Sequence, residues 1–112
     1  MKIEKIRSRD EVLKKVASQF DHWGIPTADS IVRVRAASKT IPLIASGGIR
    51  DGLEAAKCIA LGADVVGIGL PLLRAVNDSV DSALSFIGEI EMGLRIAMFG
   101  IGAADIWSLK KY

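Results

Sequence analysis

Two stretches of this sequence each carry a short apolar run into a glycine corner and out into a helix. Together they leave few architectures open. The first is Ile41-Pro42-Leu43-Ile44-Ala45-Ser46-Gly47-Gly48-Ile49-Arg50-Asp51-Gly52. Its apolar run is short and bounded by Pro and Gly, which predicts a strand covered on both faces. Gly47-Gly48 lets the backbone take positive φ and come close to a ligand. Asp51 fits an N-cap, and Glu54, three residues on, completes a capping box. A helix that opens just past such a turn points free N–H groups and its positive dipole end above the strand, which suits phosphate. The second stretch is Gly62-Ala63-Asp64-Val65-Val66-Gly67-Ile68-Gly69-Leu70-Pro71. It reads as another buried strand, from Asp64 to Leu70, again ending in glycine. The short return between the strands demands a parallel, right-handed crossover. Each corner alone is equally a tight turn that binds nothing. The repeat is what favours a shared phosphate site, as in (β/α)8 barrels, whose loops after strands seven and eight often make one.

The remaining elements follow from periodicity and caps. Ser8-Arg9-Asp10-Glu11 reads as a capping box opening a helix with Val12, Leu13, Val16, Ala17 and Phe20 on one stripe. Asp21 to Pro26 interrupts it, with His22 flanking a turn. Thr27 is the expected N-cap of a second helix carrying Ile31, Val32, Val34, Ala36 and Ala37, fading near Ser38-Lys39-Thr40. A third helix runs from Gly52 to Leu61, with Gly62 as terminator. Pro71 to Val76 is a short helix with Pro near N1. Asn77-Asp78-Ser79 caps the longest helix, about Val80 to Phe99, with Val80, Ala83, Leu84, Ile87, Ile90, Leu94, Ala97 and Met98 on one apolar face. Gly88 and Gly93 inside it suggest close packing. Gly100-Ile101-Gly102 ends it. Ala104 to Lys111 reads as a final helix with Ile106, Trp107 and Leu109 facing inward.

Composition narrows the function. The chain has 112 residues, half of them hydrophobic, enough for a single domain over 1–112. A formal net charge of +2 is too small to argue for nucleic acid. The early basic residues (Lys2, Lys5, Arg7, Arg9, Lys14, Lys15) are interleaved with acids and read as a solvated helix face. No apolar run approaches the roughly 18 residues of a bilayer span, and no signal peptide is visible, so no membrane partner is expected. Cys58 is the only cysteine and fits a small core residue, compatible with a cytoplasmic location. A single histidine, His22, supports no His-cluster metal site.

Four stretches resemble the type 2 isopentenyl diphosphate isomerases, which are FMN-dependent (β/α)8 (TIM) barrel enzymes of isoprenoid biosynthesis. They are Trp23-Gly24-Ile25-Pro26-Thr27-Ala28, Ala45-Ser46-Gly47-Gly48-Ile49-Arg50, Leu61-Gly62-Ala63-Asp64 and Leu94-Arg95-Ile96-Ala97-Met98-Phe99-Gly100-Ile101-Gly102-Ala103. The Gly-Gly and Gly-Ala-Asp motifs are shared with other FMN barrels. The Trp-Gly-Ile-Pro-Thr and Leu-Arg-Ile-Ala-Met-Phe stretches single out the isomerase. The resemblance is to the family's C-terminal part. It implies an α/β fold that is a C-terminal fragment of the barrel, two parallel strands with flanking helices. It also implies that Gly48, Ile49 and Arg50, with Gly69 and Leu70, join Gly47 of the first corner in holding the FMN phosphate. Family members often carry Ala where Gly69 stands. The family's Arg/Lys substrate clamp, its His, its Gln and its Mg2+-holding Glu lie upstream, and no residue here matches them. No catalytic or metal-ligating residue is therefore assigned in this chain.

The resemblance further implies interconversion of isopentenyl and dimethylallyl diphosphate on reduced FMN, with NAD(P)H supplying the reduction and Mg2+ holding the diphosphate. The chain alone is expected to be inactive, its partner being the missing N-terminal barrel part. One alternative keeps the barrel and changes the chemistry, to a fragment of an FMN-dependent 2-hydroxy-acid oxidase or dehydrogenase. Another is a non-catalytic, self-associating module, since a two-stranded parallel sheet has open edges and too little area to bury both faces.

Overall fold

A computed structural model describes residues 11–110. The start of the first capping box, Ser8 to Asp10, and most of the early basic run lie outside the described residues, as does Lys111. The elements are α1 (Glu11–Ser18), α2 (Thr27–Ala37), β1 (Ile44–Ala45), α3 (Gly52–Leu61), β2 (Val65–Val66), α4 (Leu70–Asp78), α5 (Val80–Ile101) and α6 (Ile106–Leu109).

β1 and β2 are parallel neighbours, with Ile44 opposite Val65 and Ala45 opposite Val66. Pairing is extended at both ends, by Asp64 N–H to Leu43 O at 2.8 Å and Gly67 N–H to Ala45 O at 2.7 Å. The strands are shorter than the apolar runs because the chain turns out of the ladder at the glycines. They are also covered on one face only, a correction to the expectation of two. Ala45 is buried, whereas its neighbour Ile44 is 67% exposed and Val65 55%. Side chains alternate across a strand, so the Ile44–Val65 pair presents one bare apolar face.

The covered face packs on α3, which is apolar nearly all round because it separates two small cores. On the sheet side, Ala55 and Cys58 meet Ile31, Ala45, Ile49 and Ala63. Cys58 is the small core residue expected, and burial pushes its thiol up from the usual value. On the other side, Ala56 and Ile59 meet Ala103 and Leu109, with Leu94, Ala97 and Met98 of α5 against them. α3 ends as expected at Gly62, whose φ is +127°. Ala63 N–H then reaches back to Cys58 O at 3.1 Å, closing the last turn.

α3 and α5 touch backbone to backbone. A Cβ on Gly52 would overlap Ile90 O and Leu94 N and lie 2.7 Å from Gly93 C. A Cβ on Gly93 would lie 3.1 Å from Gly52 Cα. The close packing expected at Gly93 is therefore real, while Gly88 faces open space. α5 starts at Ser79, whose hydroxyl accepts Ser82 N–H at 2.9 Å. It runs two residues past its expected end, to a left-handed Gly102 at φ +75°. Its expected apolar face is only partly used. Ile90, Leu94, Ala97 and Met98 are half-buried, but Val80, Leu84 and Ile87 are exposed because no described element covers that edge.

The ends of the chain correct two further expectations. No residue of α1 is buried, so its apolar stripe exists but is not packed. α6 turns Leu109 and Ile106 toward the core while Trp107 is 74% exposed. Residues three apart share a helix face, and a residue next to either of them points elsewhere. Lys110 Nζ lies 4.5 Å from the Trp107 ring centroid instead.

One arginine ties the entries of both strands. Arg35 donates to Gly62 O at 3.0 and 2.8 Å, to Ser38 O at 3.2 Å, to Ile41 O at 2.9 Å and to Asp64 Oδ2 at 3.1 Å. Asp64 also accepts Leu43 N–H at 2.9 Å and pairs with Lys110. The Lys110 contact, then the Leu43 amide, hold the Asp64 carboxyl down at about 2.

Gly52→Ala is expected to cost about 2 to 3 kcal/mol in urea unfolding, since it forces two backbones apart. Gly88→Ala on the open side of α5 is expected to gain about 0.5 to 1 kcal/mol. Asp64 has a depressed pKa when folded, so its stabilisation is complete above its unfolded value near 4 and is lost as pH falls from about 4 toward about 2. Stability of Asp64→Asn measured across that window should fall less steeply than that of the parent.

Candidate functional site

The first corner is held from three sides. Gly47 and Gly48 have φ of +106° and +77°, the left-handed region that the sequence anticipated for this pair. A Cβ on Gly48 would meet nothing within 4 Å, so the space beside it is open. Gly47 is fixed by a contact that sequence reasoning missed. Thr27 is not the N-cap of α2. It is the first helical residue, after Pro26, and its hydroxyl donates to Gly47 O at 2.8 Å across twenty positions of sequence. In a trans peptide the C=O and N–H point opposite ways. Holding Gly47 O on the α2 side therefore turns Gly48 N–H away from α2. Only the Thr27 hydroxyl itself, in a loop flanked by Pro, hinted at a polar role.

Ile49 is the second anchor. Its side chain is 4% exposed and sits in the core beside Ala45 and Ala55, so only its backbone faces a ligand. The amides of Gly48 and Ile49 make no hydrogen bond among the described residues.

The third anchor is the cap of α3. Asp51 Oδ1 accepts Glu54 N–H at 2.8 Å, the expected half of the capping box. The reciprocal half differs. Glu54 Oε2 accepts Arg50 N–H at 2.7 Å, one residue earlier than a capping box requires, and Oε1 accepts Arg50 Nη2 at 2.9 Å. The hydrogen bond and charge of Glu54 raise the Arg50 guanidinium, and the same bond lowers the Glu54 carboxyl.

The second corner is built differently. Gly69 has φ −104°, a Cβ there would meet nothing within 4 Å, and it serves as N-cap of α4. The space there would admit an alanine side chain. Leu70 is half-buried at the start of α4, where Pro71 removes a backbone donor. The parallel register brings the two corners to one edge of the sheet, since Gly48 and Gly69 lie equally far beyond the paired Ala45 and Val66. A cavity of about 190 Å3 beside the first corner is lined by Thr27, Gly47, Gly48, Ile49 and Glu54, with Cys58 at its back; Gly69 and Leu70 are not part of it.

A larger cavity of about 670 Å3 opens at the opposite ends of the strands, between Arg35, Lys39, Asp64, Trp107 and Lys110. Its Arg35 and Lys110 are already engaged with carbonyls and Asp64. His22 is exposed in the turn after α1, as expected. No cluster of three or more His, Cys, Asp or Glu occurs among the described residues. No helix among them is long and apolar enough to cross a membrane.

The family model for FMN-dependent dehydrogenase matches residues 17–112. The isopentenyl-diphosphate delta-isomerase of Oceanobacillus iheyensis is 43% identical over 108 residues, covering 96% of this chain and 31% of that protein. The proteins of the same name from Synechococcus sp. and Stutzerimonas stutzeri are 46% and 45% identical, covering 98% and 97% of this chain and 32% of each relative. The chain thus spans about a third of the length of the curated relatives it matches.

Thr27→Val keeps the shape and removes the hydroxyl. It should cost about 1 kcal/mol and shift the Gly48 amide resonance, because the Gly47–Gly48 peptide loses its anchor. Gly48→Ala should cost about 1 to 2 kcal/mol from its positive φ alone, with no clash to relieve. Chemical denaturation and the amide NMR spectrum check both.

Proposed function

This chain belongs to the FMN-dependent dehydrogenase family, and from that premise we propose that it is the C-terminal part of an FMN-dependent isopentenyl-diphosphate delta-isomerase. In this reading residues 1–112 form one partial-barrel domain supplying the last two strands of a (β/α)8 barrel. The isomerase names of the relatives support the activity. The two parallel strands and the bare Ile44–Val65 face support the barrel fragment, because a barrel strand is covered on both faces.

The observation that carries the site is the pair of amides at Gly48 and Ile49, at the opening of α3, that have no partner among the described residues. A phosphate monoester suits such donors, and the open space over Gly48 admits it. Gly47, Gly48, Ile49, Arg50, Gly69 and Leu70 are the residues we assign to the FMN phosphate. Of these, Arg50 has its amide taken by Glu54 and offers its remaining guanidinium donors. When bound, reduced FMN supplies acid–base chemistry at the allylic position. This chain's part is to bind and orient the phosphate end. Mg2+ and NAD(P)H belong to the whole enzyme, with ligands outside this chain. The partner is the rest of the barrel, and the setting is the cytoplasm, in keeping with the single free thiol of Cys58.

A second reading draws on the same bare face. Ile44, Val65 and the exposed edge of α5 favour self-association where the rest of the barrel is absent.

Titration of FMN by fluorescence quenching, with and without the upstream two thirds of a relative supplied as a separate chain, tests the proposal. Full-affinity FMN binding and isomerase turnover should appear only in the mixture, this chain alone binding the phosphate end weakly, and Gly48→Val should weaken the binding. Turnover by this chain alone, or FMN affinity indifferent to Gly48→Val, would overturn it. A monomer in sedimentation at high concentration would remove the second reading.

A further inference from the structure

Glu54 makes a contact that neither the cap nor the core requires. The cap of α3 is complete once Asp51 accepts the Glu54 amide. A capping box would place the Glu54 carboxylate on Asp51 N–H. Here both of its oxygens sit on Arg50, one on the backbone amide and one on the guanidinium. That two-pronged grip is how a phosphate oxygen pair engages an arginine and an adjacent amide.

We propose that Glu54 is a built-in stand-in anion at the phosphate corner, occupying the donors of Arg50 until an incoming phosphate dianion displaces it. The inference rests on the phosphate-cradle reading above and adds to it a control on ligand entry. An N–H with a carboxylate oxygen at 2.7 Å has no room for a second short acceptor. A phosphate arriving at the corner therefore meets two open amides, Gly48 and Ile49, and a third that is guarded. The guard can move without repacking the core. The Arg50 side chain is 74% exposed and that of Glu54 27%. Lys57, one turn along α3, already acts on the Glu54 carboxylate by its charge and offers it a second cation when it leaves Arg50. Asp51 already has one carboxylate oxygen engaged in the cap.

Glu54→Gln tests this with little disturbance. The amide oxygen of Gln still accepts Arg50 N–H, so the turn is kept, but the charge that holds the guanidinium is gone. Inorganic phosphate and FMN are each titrated into the parent chain, Glu54→Gln, Arg50→Ala and the double variant, following the amide resonances of Gly48, Ile49 and Arg50. Glu54→Gln should bind phosphate about two- to fivefold more tightly than the parent, the scale of one exposed ion pair. In the Arg50→Ala background that gain should shrink by more than half, because the donors it would release are missing. Glu54→Ala should act in the same direction, provided its melting temperature shows a folded chain.

Weaker binding by Glu54→Gln would make Glu54 a brace for Arg50 and overturn the proposal. An undiminished gain without Arg50 would reduce the effect to a general field and also overturn it. If the parent binds phosphate, loses it with Gly48→Val, and is unaffected by Glu54→Gln, the stand-in role fails and the cradle survives. If saturating phosphate moves neither the Gly48 nor the Ile49 amide in any of these variants, the cradle fails and the stand-in role with it.

Discussion

The contact between Gly52 and Gly93 sets the position of everything around the first corner. It is backbone against backbone, at the first residue of α3 and the middle of α5. Only hydrogen side chains permit that approach. With α3 resting on α5 at its very first turn, the Asp51 cap, the buried Ile49 and the two left-handed glycines before it have one place to be. α3 is then enclosed between the sheet and α2 on one side and α5 with α6 on the other. Small residues line both sides, so the helix sits close to each layer and carries the corner with it.

The opposite surface has no such enclosure. The radius of gyration is 16.3 Å, against about 13 to 14 Å for a compact domain of this length, and the molecule is a slab 22 Å across its thinnest axis. Leu109 is the largest fully buried side chain, and most of the rest of the core is alanine and isoleucine. A parallel sheet is normally covered on both faces. Here the Ile44–Val65 pair and one edge of α5 remain bare, and the two-residue strands are held at their entry by Arg35 rather than by neighbouring strands. Such a bare face is what one side of a larger core, as proposed above, would present. It fits a chain that spans about a third of its relatives.

The same architecture underlies the phosphate site proposed at the first corner. Two parallel strands deliver their C-terminal ends to one edge, and the helices that follow begin there. The corner after β1 is rigid because three unrelated constraints converge on it: a threonine hydroxyl, a buried isoleucine and a capped helix. The corner after β2 is looser in kind, with an ordinary φ at Gly69.

Much of this was legible from residue order. Asp51 and Ser79 as caps, Gly62 and Gly102 as terminators, the two left-handed glycines and the parallel pairing all obey rules that act within about five residues or along one crossover. The position of the candidate corner was legible for the same reason. What the residue order left undecided were partners far apart in the chain. Thr27 looked like a local cap and instead holds Gly47; Arg35, which no local motif singles out, ties both strand entries; Glu54 reached Arg50 rather than Asp51; Trp107 faced outward. Short-range backbone chemistry selects the elements, because each turn and cap finds its partner within its own helix or loop. Which side chains meet across twenty or more positions, and which apolar faces stay bare, follows only once α3 has settled against α5 and brought those positions together.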